Sequence, residues 1–99
     1  MTVPGSPPVK GSAAALDAAE KLQEAAREAM LYDASGEDVI SLSITHIRPH
    51  KTTGSAEIIG AISDALTGIA YLDPLQVTEV FYVEEQGEFE EYHVTVNSP

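Results

Sequence analysis

Three histidines, His46, His50 and His93, and sixteen carboxylates are the side chains of this 99-residue chain with the widest chemical repertoire. Two of the histidines fall in the run His46-Ile-Arg-Pro-His-Lys51, followed by Thr52-Thr-Gly-Ser55. This is the chain's one concentrated basic patch, and it leads into a helical pattern. A helix start carries free N–H groups and the positive end of a dipole, so an anion could sit there. Arg48, Lys51, Thr52, Thr53 and Ser55 would supply the donors. The P-loop spacing of glycines before Lys-Ser/Thr is absent. An ordinary capped polar loop is the commoner meaning of such a segment.

Metal and acid–base chemistry are less well supported. Zinc needs three or four convergent ligands. Pro49 separates His46 from His50, and His93 stands on a strand, so surface histidines are the plainer expectation. No metalloprotease, nucleophile-elbow or dinucleotide-binding pattern occurs. A histidine–carboxylate pair can be drawn in any chain of this composition and carries no weight. No catalytic residue, metal site or cofactor is therefore assigned.

The carboxylates are unevenly distributed. The formal net charge is −11, and residues 52–99 contain nine acids and no lysine or arginine. Glu79, Glu84, Glu85, Glu88, Glu90 and Glu91 crowd thirteen positions. Oxygen ligands at this density could hold calcium loosely, but the EF-hand pattern is missing. Such a surface repels nucleic-acid phosphates and anionic membranes, which argues against direct binding of either. It serves solubility or faces a basic protein partner, and these six glutamates are the candidate partner-binding residues.

The elements that position these groups follow from periodicity. Residues 1–12, with three prolines, two glycines and two serines, predict a disordered tail. Pro4 and Pro7 match only the weak P-x-x-P pattern. Residues 13–99 predict a single domain. An alanine-rich helix is expected over 13–31, with Ser12 as its cap. Ile40, Leu42 and Ile44 alternate with Ser41, Ser43 and Thr45, which predicts a half-buried strand over 39–47. A second helix begins near Ser55 and ends before Asp73-Pro74, with Tyr71 on its wet side. Residues 76–84 and 88–96 read as two strands joined at Gln86-Gly87, hence a β-hairpin. The fold class is α+β in α-β-α-β-β order, with two helices on one face of a three-stranded sheet. Val80 and Tyr82 oppose Val77, Phe81 and Val83 on a strand apolar on both faces. One face would then be left for a subunit or partner, with Val80 and Tyr82 at a self-association contact.

The β-α-β-β order of Val39 to Val96, with Val83-Glu-Glu-Gln-Gly87 before the last strand, resembles the dodecins. That resemblance implies a small flavin-storing oligomer whose isoalloxazine ring stacks on tryptophan. This chain has no tryptophan and carries an added N-terminal helix, so no site is carried over.

The chain contains no cysteine, which removes disulfides and thiolate chemistry. No apolar run nears the ~20 residues of a membrane span, and the N-terminus lacks a secretory apolar region. The expectation is a cytoplasmic, non-enzymatic interaction module of a bacterial or phage regulatory, accessory or inhibitory kind. It would self-associate and bind a basic or apolar protein surface. The alternative is a small-ligand or anion-binding oligomer using the loop at 46–55.

Overall fold

The computed structural model describes residues 1–29, 34, 36, 39–50 and 54–97. The chain is α+β, with two helices and a mixed sheet. In order it forms β1 (Thr2–Pro4), α1 (Ala15–Ala29), β2 (Ile40–Arg48), α2 (Ser55–Leu66), a short 3-10 turn (Pro74–Gln76), β3 (Val77–Gln86) and β4 (Glu91–Asn97). The sheet has four strands rather than three, in the order β1-β4-β2-β3.

Alternation in β2 sets the core. Ile40, Leu42 and Ile44 face the helices with Val94 and Tyr92 of β4. Leu22 and Ala26 of α1, and Ile58, Ile62, Ala65 and Leu66 of α2, pack against them. Both helices therefore cover one face. Gln23 Nε2 donates to the Ala65 carbonyl at 3.2 Å, tying the alanine-rich α1 to the end of α2. Alanine lets the helices approach closely, but each alanine buries little apolar area.

Three expectations are corrected. The segment expected as a tail contributes β1, antiparallel to β4, with Val3 opposite Tyr92 and buried. Pro7 and Pro8 are buried as well. A proline-rich composition argues against forming a core but not against joining one, and β4 offers an open edge to pair with. The second helix stops at Leu66, six residues short of Leu72. Gly68 takes φ 87°, a left-handed conformation open to glycine, which turns the chain back on itself. The turn carries Tyr71 inward, to 0 % exposure, instead of to the wet face. There its hydroxyl donates to the Ser63 carbonyl at 2.5 Å.

The third correction is the hairpin. β3 and β4 do not pair with each other. β2 lies between them, parallel to β3 and antiparallel to β4. Residues 87–90 thus cross the end of β2 instead of making a tight turn. The Gly87 N–H donates to the Arg48 carbonyl at 3.0 Å as it passes. A Cβ on Gly87 would lie 2.5 Å from Ile47 Cγ2, and a β-branched side chain has little freedom to move aside. Gly87→Ala is expected to destabilise the fold by about 1–3 kcal/mol in urea unfolding, as overpacking does. An unchanged midpoint would show that the crossing has slack.

Candidate functional site

The parity of β2 places His46 on the core face, one step beyond Ile44. Its ring is 1 % exposed, the single polar residue of the buried set among the described residues. Nε2 lies 2.7 Å from Glu90 Oε2, and Nδ1 lies 3.2 Å from the Tyr82 hydroxyl. A carboxylate only accepts, so Nε2 is the donor toward Glu90. The Tyr82 hydroxyl also reaches Glu84 Oε1 at 3.4 Å. Arg48 Nε stands 3.5 Å from the same oxygen, and its Nη1 donates to the Glu85 carbonyl at 3.4 Å. Burial first, and then the neighbouring Glu84, pushes the Tyr82 phenol up to about 12.

This cluster also holds the N-terminal segment. Glu90 accepts from the Ser6 hydroxyl through Oε1, and its carbonyl accepts from the Gly5 N–H at 2.9 Å. His46 therefore positions the side chain of a residue that holds Ser6 through its carboxylate and Gly5 through its carbonyl. A ring so nearly sealed presents no face to a substrate, and the arrangement acts as a clasp. The histidine was expected at the surface. The signal was its even-numbered place after Ile40, Leu42 and Ile44, a polar side chain at core parity.

The six glutamates do not form one acidic surface. Glu84 and Glu90 turn inward to Arg48 and His46. Glu79, Glu85 and Glu91 fall on the opposite, helix-free face by their register with Ser41 and Ile47. Glu79 accepts from the Ser41 hydroxyl at 3.2 Å, and Glu91 lies 3.6 Å from His93 Nε2. Glu88 is exposed in the crossing loop. In the proposed anion site, Arg48 is engaged by Glu84 while Ser55 is exposed at the start of α2. Lys51, Thr52 and Thr53 lie outside the described residues. His46 and His93 project to opposite faces, and no group of three metal-ligating side chains occurs among the described residues.

Val80 and Tyr82 face the helix side, aligned with Leu42 and Ile44. Tyr82 is drawn into the His46 cluster, whereas Val80 remains 37 % exposed. The larger apolar exposure is on the other face, at Phe81 (57 %) and Val83 (50 %). Beside them an open groove of about 580 Å³ is lined by Val39, Ser41, Ser43, Glu79, Phe81 and Asn97, among others. Among the described residues, no helix is long and apolar enough to cross a membrane. No protein-family model and no curated protein matches the chain.

Proposed function

We propose that this chain is a non-enzymatic protein-interaction module that self-associates and binds a basic or apolar protein surface through β3 and the helix-free face of its sheet. The observation that carries the reading is the side-by-side exposure of Phe81 and Val83 on that face. Around them stand Ser41, Ser43, Thr45 and Thr95, small hydroxyl side chains that let another chain approach closely. The charged groups sit toward the periphery, Glu79 and Glu85 at the two ends of the Phe81–Val83 pair and Glu91 on β4. An apolar centre inside a polar, acidic rim is the anatomy of a protein interface and favours a partner with a basic rim.

Self-association is the reading's most direct test. Sedimentation velocity of the full chain is expected to show a species larger than the 10.5 kDa monomer at concentrations of about 10 μM, a common range for modest interfaces. Replacing Phe81 and Val83 together with glutamate should weaken association at least tenfold and leave the circular dichroism spectrum unchanged. The wild-type chain at monomer mass up to about millimolar concentration would remove the basis for self-association.

A further inference from the structure

The two edges of the sheet are unlike. β1 closes one edge with three residues and places Pro4 on it. A short strand with proline is a common way of blunting an edge. The other edge is β3, ten residues reading Val-Thr-Glu-Val-Phe-Tyr-Val-Glu-Glu-Gln, without proline or lysine. Among the described residues its only strand neighbour is β2. A long edge of β-branched and aromatic residues is a template for another strand.

Resting on the self-association reading above, we propose that β3 pairs antiparallel with β3 of a second copy about a two-fold axis at Phe81, joining two sheets into one of eight strands. A two-fold interface is self-complementary, which an antiparallel pair of identical strands satisfies. Charge narrows the register to axes at Val80, Phe81 or Val83, and of these the axis at Phe81 sets the most exposed apolar residue of the strand against its own copy. β3 carries glutamates at 79, 84 and 85. Like charges directly opposite one another destabilise a strand pair. A parallel in-register pair stacks all three on their copies. Antiparallel, an axis at Glu79 sets that residue against itself. An axis at Tyr82 sets Glu79 against Glu85.

With the axis at Phe81, no two glutamates are opposed. Phe81 meets Phe81 of the second copy, Val80 meets Tyr82 and Glu79 meets Val83, the regular pairing ending at the irregularity of β3 between Val77 and Glu79. The carboxylates are also restrained by their own chain. Glu84 is held by Arg48 and Tyr82, and Glu79 by Ser41. Phe81 would be the central aromatic anchor, flanked by valines, with acids toward the ends.

The absence of native cysteine makes the register readable with single substitutions in the full chain. Directly opposed residues in an antiparallel pair have Cα atoms about 4.5–5.5 Å apart, within disulfide reach. Four residues of offset put equivalent positions about 14 Å apart. Phe81→Cys, oxidised or treated with a short bismaleimide, is expected to form covalent dimer at least tenfold faster than Val83→Cys or Glu79→Cys alone. A mixture of Val83→Cys and Glu79→Cys should crosslink as a heterodimer. All three positions are solvent-exposed, so the variants should fold. A dimer by sedimentation that crosslinks no faster at 81 than at 83 would overturn the β3 pairing and leave the self-association reading standing. A monomer by sedimentation would overturn both.

Discussion

His46→Ala is expected to destabilise the domain by about 2–4 kcal/mol in denaturant unfolding, among the largest effects of any single polar substitution in the chain. Two effects add. Removing a fully enclosed ring leaves a void at the end of the core between β2, β3 and β4. It also takes from Glu90 the donor 2.7 Å away and from Tyr82 a partner at 3.2 Å. The damage should spread to the N-terminus, because Glu90 grips Gly5 and Ser6. Hydrogen exchange at the Gly5 amide should quicken more than at core amides of β2. His46→Leu separates the two effects. It restores most of the volume but not the donor, so it should recover part of the stability while Gly5 stays poorly protected. Full protection at Gly5 in the leucine variant would show that β1 is held by its ladder with β4 alone.

High pH is expected to unfold the protein in a transition led by its tyrosines. Burial is the first cause of a raised phenol pKa at Tyr71, Tyr82 and Tyr92, with Glu84 adding at Tyr82 and Asp64 at Tyr71. A phenol becomes charged by losing its proton, so the folded state keeps its protons to higher pH than the unfolded chain. Over that interval the folded state binds more protons, and stability must fall as pH rises. The contribution is whole below the ordinary phenol value of 10.0 and is lost as pH climbs through the folded value, about 12 for Tyr82. Tyr92 acts in the same sense, and its buried hydroxyl has no hydrogen-bond partner among the described residues. Tyrosinate absorbance should therefore rise together with the loss of circular dichroism above pH 10, rather than before it. Tyr92→Phe should move the alkaline midpoint upward. At pH 7 it should be neutral or stabilising by up to about 1 kcal/mol, because it removes a polar atom buried without a partner. A Tyr92→Phe chain that unfolds at lower pH than wild type would mean that the hydroxyl is bonded in solution.

Local pattern decided the elements, and it could do so because periodicity is a property of neighbours in the chain. The alternation from Ile40 to Ile44 specified β2 and its buried face, and Ile58 and Ile62 specified the inner stripe of α2. Gly68 and Asp73-Pro74 marked where helical geometry fails, although only the fold showed that the turn at Gly68 ends the helix. What the tertiary structure alone decided is which strands meet. Gln86-Gly87 between two β-patterned runs carries the local chemistry of a hairpin. Nothing local records that β2, some forty residues earlier, occupies the space between those runs. The pairing of Val3 with Tyr92 spans nearly the whole chain and is equally silent in a short proline-rich segment. The candidate site follows the same division. Six glutamates are a single acidic cluster in sequence. Strand parity and the crossing of β2 sort them, two inward to His46 and Arg48, three onto the helix-free face and Glu88 into the crossing loop. A side chain's chemistry is written in its residue type, but its partners are set by strand order, which is a competition among distant segments for the centre of the sheet.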